Sequence, residues 1–308
     1  MLQYQPRNRA RLDDLFSVTE IADPGEDTDA SLGNTEVLFA PLGYRCDERK
    51  MERCPRLKVI ASNTTGVAHI DMEAAARKGI KVCALHDEPA FLDRVTPTAE
   101  HAIGLLIAAW RKIPAAHGAA SGGVWNRWDW GAPRMLSRMR LGIVGYGRLG
   151  RKVAAIARAM DMDVAFYDPT VSGSMNSILQ LASRSDALSI HAKVPPESPG
   201  LVSRKVLEAM PQGSGLVSSA RAEMVDEVAL LDMLENGHLY SAAVDVADGE
   251  FDPGFNQRFM ESRLATYARN NDNLVLTPHI GGSTLDAWSE TQRFAIEKAA
   301  QALRLDAH

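Results

Sequence analysis

The chain has 308 residues, with 34 Lys and Arg against 39 Asp and Glu, and its formal net charge is −5 at pH 7. This length is sufficient for two domains with their own hydrophobic cores. Because the net charge is negative and no dense Lys/Arg block is present, we do not expect nucleic acid or an anionic membrane as a partner. The longest apolar stretch, residues 102–110, is too short to span a bilayer, and the N-terminus lacks the apolar core of a signal peptide.

The cysteines indicate the compartment. Cys46, Cys54 and Cys83 form neither a CxxC pair nor a Cys/His spacing typical of zinc sites. We therefore expect free thiols, a cytoplasmic location and no metal site.

The first 96 residues alternate short apolar runs with helical patterns. We predict strands over 2–5, 36–40, 57–61 and 80–85. We predict helices over 9–16 and 71–78, and Gly79 ends the helix over 71–78. This alternation is typical of a small α/β unit. Because the unit contains no phosphate-type glycine loop, we assign it to substrate rather than cofactor.

A long apolar helix is predicted next, starting at Thr96-Pro97 and continuing through Ile113. Its apolar residues cover more than one face, which is typical of a buried helix and favours a dimer interface. Residues 115–140 are predicted to form an extended arm rich in glycine and tryptophan. Exposed aromatic residues on an arm favour a homodimer through the 98–140 region, although an arm folded back on its own domain is an alternative.

Residues 141–150 read LGIVGYGRLG, an apolar run that breaks into glycines at 145, 147 and 150 and then turns helical. The spacing fits the GxGxxG turn of dinucleotide-binding folds, in which the glycines permit a tight turn, close approach of a pyrophosphate and close packing of helix on strand. Helix N-terminal amides then bind the anion. Similar turns also occur in strand–helix loops that bind nothing. The predicted cofactor contacts in this motif are Gly145, Tyr146, Gly147, Arg148, Leu149 and Gly150.

A second apolar run, residues 163–167, ends at Asp168, which lies 18 residues after Gly150. An acid about 20 residues after the last glycine binds the ribose hydroxyls in this kind of fold. Pro169 follows instead of a basic residue, and a carboxylate here would repel a 2′-phosphate. We therefore predict NAD rather than NADP, with an ordinary solvated acid as the alternative.

Six strands are predicted in this part of the chain: 141–144, 163–167, 187–190, 215–218, 241–246 and 273–277. Their alternation with helical patterns indicates an α/β fold with a doubly wound parallel sheet. Ligands of such sheets bind beyond the carboxyl ends of the strands. The residues at those ends are Gly145, Asp168, His191, Arg221, the 245–250 turn and His279.

Three of these residues suit hydride transfer to a 2-oxo acid. Arg221 can hold the carboxylate with a bidentate guanidinium. His279 can supply the proton, and Glu250 would favour its charged form and orient its ring. Each also has an ordinary interpretation as a surface or loop residue, but three compatible groups after three consecutive strands favour a catalytic set. His191 is interpreted as structural or cofactor-adjacent.

Four segments occur in the order found in the D-isomer-specific 2-hydroxyacid dehydrogenases, the family that includes D-3-phosphoglycerate dehydrogenase: GIVGYGRLG, LVSSARAEMVDEVALLDMLENGHL, AAVDVADGE and NLVLTPHIGGST. The chain resembles this family from residue 57 onwards. The resemblance implies a Rossmann NAD-binding domain, 97–284, inserted into a smaller flavodoxin-like substrate domain, 1–96 plus 285–308. It also implies a final helix over about 285–303 and a dimer.

The same resemblance implies the roles of individual residues. Arg221 is the catalytic arginine, Glu250 the acid and His279 the general acid/base. The TTGVAHID turn resembles the loop whose amides bind the substrate carboxylate. The remaining implied contacts are Thr65, Gly66 and Val67 for substrate, and His191, Ala220, Asp245 and Gly281 for cofactor.

Several positions depart from the family pattern. Ala222 replaces a glycine, which would restrict the turn if it needs a positive φ. Phe251 replaces the proline that commonly follows the acid, and Lys193 replaces a proline in the loop after His191. Residues 251–272 form a long segment, and Met260, Leu264 and Tyr267 within it could belong to a lid or a surface helix. No regulatory domain follows residue 308, so we do not expect feedback control through one.

We therefore predict an NAD-dependent oxidoreductase acting on a D-2-hydroxy acid and its 2-oxo partner. Candidate substrates are 3-phosphoglycerate and small acids of the hydroxypyruvate or glyoxylate type. Arg45 and Arg94 are candidate cations for a phosphate. The alternatives are an NAD-sensing interaction protein on the same scaffold and a Rossmann methyltransferase, which would leave the Arg/Glu/His set without a function.

Overall fold

The computed structural model describes residues 4–21, 27–67, 69–192, 200–252 and 254–305. The chain divides into two compact units, which we call the terminal unit (residues 1–95 with 283–308) and the central unit (residues 96–282). Their assignment to substrate and cofactor stays a prediction. The predicted strand over 2–5 lies partly outside the described residues, and Tyr4 and Gln5 are not in a strand. Lys193 also lies outside them.

The described residues form nine β-strands: β1 (Val37–Phe39), β2 (Val59–Ala61), β3 (Lys81–Cys83), β4 (Arg140–Val144), β5 (Asp163–Tyr167), β6 (Ala187–Ile190), β7 (Ser214–Ser218), β8 (Leu239–Val244) and β9 (Leu274–Leu276). The same residues form fourteen α-helices: α1 (Pro6–Leu15), α2 (Asp29–Leu32), α3 (Glu48–Glu52), α4 (Met72–Arg77), α5 (Pro89–Leu92), α6 (Pro97–Trp110), α7 (Ile113–Ser121), α8 (Arg148–Ala159), α9 (Ile178–Ser183), α10 (Arg204–Ala209), α11 (Glu227–Glu235), α12 (Phe255–Glu261), α13 (Arg263–Asn270) and α14 (Leu285–Leu305).

The terminal unit contains a parallel sheet in the order β1-β2-β3. Ala299 and Ala302 of α14 pack against Val59 and Ala61 of β2, so the last helix covers the middle strand. Asn8 of α1 donates to the Ser289 carbonyl at 2.8 Å, which ties the first helix to the last. The predicted final helix is therefore confirmed, and it extends to residue 305.

The central unit contains a six-stranded parallel sheet in the order β5-β4-β6-β7-β8-β9. The chain runs from β4 to β5 on one side, then crosses to β6 and continues on the other side. The topological switch point therefore lies between β4 and β6. The inner strands β6 and β7 are buried along their whole length, as expected for strands covered on both faces. The predicted doubly wound α/β fold is confirmed.

The two faces of the central sheet have separate cores. Val217 and Ala243 pack with α6 and α8, whereas their neighbours Leu216 and Ala242 pack with the helices of the opposite face. This alternation follows from the two-residue period of a strand.

The predicted helix over 97–113 is wrong at its end. α6 stops at Trp110, Lys112 takes a left-handed φ of 50°, and α7 begins at Ile113. A continuous helix would bring the ring of Pro114 against the Trp110 carbonyl, so the break places Pro114 in the first turn of a new helix.

The predicted extended arm over 115–140 is also wrong in part. α7 covers its first residues, because their alanines favour a helix. Short 3₁₀ turns follow at Arg127–Trp130 and Leu136–Arg138. Trp125 and Trp128 are 91% and 80% exposed, and Trp130 is partly buried.

The segment after Phe251 is neither a lid nor a surface helix at Leu264 and Tyr267. Both side chains are buried in the core beside α11, and the Tyr267 hydroxyl donates to Asn273 Oδ1 at 3.1 Å. Only Met260 of the three apolar residues is exposed.

Within the described ranges, none of the helices combines the length and apolarity needed to cross a bilayer. Cys46, Cys54 and Cys83 are buried free thiols. The same ranges contain no group of three or more His, Cys, Asp or Glu side chains placed to hold a metal ion.

Candidate active site

The glycine loop lies at the switch point of the central sheet. Gly145 follows β4 with φ 88°, a backbone conformation that residues other than glycine rarely adopt. A Cβ at this position would lie 2.5 Å from the backbone of Ala192, the residue just beyond β6. Only glycine therefore lets β4 turn here against the loop that follows β6.

The other two glycines have different surroundings. A Cβ on Gly150 would lie 2.1 Å from the Gly145 carbonyl oxygen, so this glycine lets α8 pack on the loop. A Cβ on Gly147, the residue before α8, would meet nothing within 4 Å. The space in front of this 12-residue helix is open where a pyrophosphate would approach the amides. The loop therefore fits a dinucleotide.

The remaining loop residues act through the main chain or the core. The Tyr146 ring stacks on Phe166 at 3.8 Å, and its hydroxyl accepts from Arg158 at 3.2 Å. Leu149 packs into the core on the α6 side, and Arg148 opens α8. Direct cofactor contacts of these three side chains stay a prediction.

Asp168 follows β5 and faces the glycine loop. Its Oδ2 accepts the Tyr146 amide at 2.8 Å, and its Oδ1 accepts the amide and hydroxyl of Thr170 at 3.0 and 2.7 Å. Burial disfavours the charged carboxylate, but these hydrogen bonds outweigh burial, and the pKa of Asp168 lies below its ordinary value. A negative charge therefore stands at the end of β5.

His191 follows β6. Its Nε2 lies 2.7 Å from the Ser189 hydroxyl, and burial of the ring lowers the pKa of His191 to about 4. The imidazole is therefore neutral near pH 7. Nothing in this geometry makes His191 a proton donor, which agrees with its interpretation as a structural or cofactor-adjacent residue.

Arg221 follows β7, just before a 3₁₀ turn, Ala222–Met224. Arg221 is a partly buried residue, and its guanidinium forms no hydrogen bond or ion pair with any residue that the structure describes. Ala222 does not have a positive φ, so this turn does not require a glycine at that position. Ala220, the residue before Arg221, packs partly buried against the core.

His279 and Glu250 follow β9 and β8 and form an ion-pair geometry. His279 Nδ1 lies 2.6 Å from Glu250 Oε1, and the two side chains are 20% and 15% exposed. The carboxylate orients the ring and leaves Nε2 without a hydrogen bond to the described residues. The Phe251 ring lies 5.6 Å from the imidazole, centroid to centroid, at an interplanar angle of 43°.

Asp245, predicted to contact the cofactor, is 1% exposed. Its carboxylate accepts the Ile280 and Gly281 amides at 2.9 and 2.8 Å and the Thr277 hydroxyl at 2.6 Å. His101 of α6 also reaches this carboxylate. Neither His101 nor Thr277 is predicted from the sequence, where the only signal is one histidine next to the long apolar run of α6.

The predicted substrate loop belongs to the terminal unit. Thr64 Oγ1 donates to the Gly66 carbonyl at 2.6 Å, which bends the chain after β2. Among the described residues, the amides of Thr65, Gly66 and Val67 find no acceptor. Free amides suit a bound carboxylate, but their role stays a prediction.

The two candidate phosphate cations have weak local partners. The Arg45 side chain is 74% exposed and lies 3.6 Å from Asp47. The Arg94 guanidinium stacks over the Phe91 ring at 5.7 Å. A phosphate contact at either residue stays a prediction.

The central sheet brings the predicted residues to one edge. Gly145, Asp168 and His191 follow β4, β5 and β6, and Arg221, Glu250 and His279 follow the adjacent strands β7, β8 and β9. Because all six strands are parallel, their carboxyl ends share this edge. The predicted cofactor residues and the predicted catalytic residues therefore follow adjacent strands at the same edge.

Comparisons with known proteins agree with this arrangement. The sequence model of the D-isomer specific 2-hydroxyacid dehydrogenase family, NAD binding domain, matches residues 103–281. The chain is 31% identical over 291 residues to the D-3-phosphoglycerate dehydrogenase of Mycobacterium tuberculosis, covering 92% of this chain and 52% of that protein. The chain thus spans about half the length of the curated relatives it matches.

Solved structures are similar over a larger share of both chains. The TT0316 protein of Thermus thermophilus has a TM-score of 0.83 and 29% identity, covering 98% of this chain and 95% of that one. The NAD-dependent formate dehydrogenase of Staphylococcus aureus in complex with NAD has a TM-score of 0.75 and 27% identity, covering 94% and 84%. Since the family's NAD-binding domain covers more than half of the sequence, the chain belongs to the D-isomer specific 2-hydroxyacid dehydrogenase family.

Proposed function

We propose that the protein interconverts a D-2-hydroxy acid and its 2-oxo acid with NAD as the hydride carrier. The observation that carries the proposal is the His279–Glu250 pair, with Nδ1 and Oε1 2.6 Å apart. This pair stands one strand away from an arginine that has no partner among the described residues. A carboxylate-binding cation and an oriented proton donor are what reduction of a 2-oxo acid requires.

NADH, when bound, supplies the hydride to C2 of the oxo acid. The Gly147 amide end of α8 binds the pyrophosphate, and Asp168 accepts from the ribose hydroxyls. Its charge repels a 2′-phosphate, which favours NAD over NADP.

The catalytic side chains handle the carboxylate and the proton. The Arg221 guanidinium binds the substrate carboxylate and polarises the C2 carbonyl. His279 Nε2 delivers one proton to the oxygen that becomes the hydroxyl, and Glu250 balances the charge of the imidazolium before transfer. In the oxidation direction the same nitrogen accepts the proton from the hydroxyl.

The substrate is a small 2-oxo or 2-hydroxy acid. The relatives named as D-3-phosphoglycerate dehydrogenases support testing a phosphorylated acid, with Arg45 and Arg94 as the candidate cations. Hydroxypyruvate and glyoxylate need no such cation. We also propose that the amides of Thr65, Gly66 and Val67 contribute to carboxylate binding.

The first experiment is NADH consumption by the purified protein with a panel of 2-oxo acids, with and without a phosphate group. Turnover of any member supports the proposal, and silence with NADH still bound supports an NAD-sensing protein on this scaffold instead. His279→Gln is expected to lower kcat by about 10²- to 10⁴-fold with an unchanged Kd for NADH. The matched control is His238→Gln, in the turn before β8 at the opposite edge of the central sheet, which should retain full turnover.

Two further proposals concern the oligomeric state and the cellular compartment of the protein. We propose a homodimer through the 98–140 region, supported by the exposed Trp125 and Trp128. Light scattering of the parent and of a Trp125→Ser, Trp128→Ser double variant tests it, since the variant should lose the dimer mass. The buried free thiols fit a reducing compartment, and we propose the cytoplasm.

A further inference from the structure

His279 has an unusual main chain for a residue that must hold a ring in place. Its φ is 53°, in the left-handed region that non-glycine residues seldom occupy. Such a conformation persists only where the surrounding structure holds it. The contacts of the neighbouring residues show what does so.

Asp245 holds the loop on both sides of His279. Its carbonyl oxygen accepts the His279 amide at 2.8 Å, and its carboxylate accepts the next two amides, those of Ile280 and Gly281. Two residues before His279, the Thr277 hydroxyl donates to Oδ1 at 2.6 Å. One buried aspartate therefore binds four points of the loop.

His101 of α6 contacts both Thr277 and Asp245. Its Nε2 lies 3.1 Å from Thr277 Oγ1 and 3.3 Å from Asp245 Oδ1. The single hydroxyl proton of Thr277 is already given to Asp245, so Oγ1 can only accept on the side of His101. A carboxylate oxygen also only accepts, and His101 Nε2 must therefore carry the proton, which it donates to Thr277 Oγ1 while lying within ion-pair distance of Asp245 Oδ1.

The same helix also closes on the loop by packing. A Cβ on Gly281 would lie 2.7 Å from Asp245 Oδ2, 3.3 Å from His101 Cδ2 and 3.5 Å from Thr98 Cγ2. The space around Gly281, between Asp245 and α6, is therefore too small for a side chain on this residue. Hydrogen bonding and packing both place α6 where it limits movement of residues 277–281.

We propose that His101 is a positioning residue for the proton donor. By donating to the Thr277 hydroxyl, beside the buried Asp245 carboxylate that orders the loop, it keeps these groups in place and so holds His279 in its left-handed conformation beside Glu250. The inference rests on the proposed function for its catalytic consequence, whereas its structural consequence, the order of residues 277–281, does not depend on any activity.

The test compares His101→Leu, which removes the donor, with His101→Gln, whose amide nitrogen can reach the place of Nε2. With a 2-oxo acid that the parent reduces, His101→Leu should lower kcat by about 10- to 100-fold, because a small misplacement of a catalytic group has an effect of this size. The KM for the oxo acid should stay within about twofold of the parent. His101→Gln should restore most of the lost kcat, and His238→Leu, which removes a partly buried histidine away from the loop, is the matched control.

Amide hydrogen exchange gives a readout that needs no turnover. The Ile280 and Gly281 amides should exchange faster in His101→Leu than in the parent and at the parent rate in His101→Gln. Thr277→Val replaces the hydroxyl that joins His101 and Asp245 with a methyl group, and it should also speed the exchange of these amides. This variant replaces His101→Leu in the experiment if His101→Leu does not fold.

Three results would overturn the inference: an unchanged kcat in His101→Leu, a lowered kcat with unchanged amide exchange, or an equal loss in His238→Leu. A parent protein that reduces no 2-oxo acid would refute the proposed function instead. The exchange experiment would still decide whether His101 orders the loop.

Discussion

Two substitutions in the glycine loop should separate folding from cofactor binding. Gly147→Ala and Gly150→Ala add the same methyl group three residues apart, and neither glycine has a positive φ. At Gly147 the new Cβ meets nothing within 4 Å, whereas at Gly150 it lies 2.1 Å from the Gly145 carbonyl oxygen. Gly147→Ala should therefore weaken binding of the cofactor, and Gly150→Ala should lower the stability of the folded protein.

The magnitudes follow from these distances. A carbon normally stays about 3.3 Å from a carbonyl oxygen, so Gly150→Ala forces a shift of about 1 Å. Overpacking of this kind costs about 1–3 kcal/mol, which the better helix propensity of alanine offsets by about 1 kcal/mol. The net loss of up to about 2 kcal/mol corresponds to a Tm lower by up to about 8 °C in a domain of this size.

Gly147→Ala should change the free energy of unfolding by less than about 1 kcal/mol, because the residue only precedes α8. Its methyl group occupies the space that the pyrophosphate needs, and we expect the Kd for NADH to rise by about 10- to 100-fold. Thermal unfolding without cofactor and titration calorimetry with NADH measure the two effects separately. Gly104→Ala is the matched control, since its Cβ also meets nothing but lies in α6.

An unchanged Kd for NADH in Gly147→Ala would refute the placement of the pyrophosphate at this helix. A Tm loss in Gly147→Ala as large as that in Gly150→Ala would show that the space before α8 is not open.

Other changes test the charges at the edge of the central sheet and the stability of that unit. Asp168→Ser removes the carboxylate that repels a 2′-phosphate, so the ratio of kcat/KM for NADPH to that for NADH should rise at least about tenfold, about 1.4 kcal/mol; a ratio equal to that of the parent contradicts the assignment. Glu250→Gln keeps a hydrogen-bond acceptor for His279 Nδ1 but removes the charge, and kcat should fall about 10²-fold while the Kd for NADH is unchanged; a kcat equal to that of the parent would exclude a role for the charge. Asp186 is 9% exposed, and although burial favours its neutral form, hydrogen bonds from Arg140 and Arg134 lower its pKa to about 2. Because the folded pKa lies below the unfolded one, the stabilisation, about 2 kcal/mol, is complete above about pH 4 and is lost as the pH falls towards about 2. Asp186→Asn should therefore unfold more easily than the parent at pH 7 in urea, with a difference that shrinks on acidification, whereas a difference independent of pH would contradict the charge-based explanation.

Much of the central unit can be predicted from the sequence because the signals are local. The apolar runs of β4 to β9 lie one after another with helical patterns between them, and only a parallel sheet accommodates that alternation. Once the sheet is predicted, Asp168, Arg221 and His279 must share its carboxyl edge, whatever the packing details. The glycine spacing adds the position of the cofactor, since backbone conformation and close approach restrict those residues to glycine.

Local patterns alone determined the fold class and the glycine loop of this protein, and they placed the candidate catalytic residues at one edge of its sheet. They did not determine the role of Asp245, which binds a loop about 30 residues further on, or the contact of His101, whose partners Asp245 and Thr277 lie more than 140 residues away in the chain. A hydrogen bond between such distant residues leaves no period and no spacing to recognise. Only the packing of α6 against the ends of β8 and β9 brings these side chains together, and so the tertiary structure decided how His279 is held.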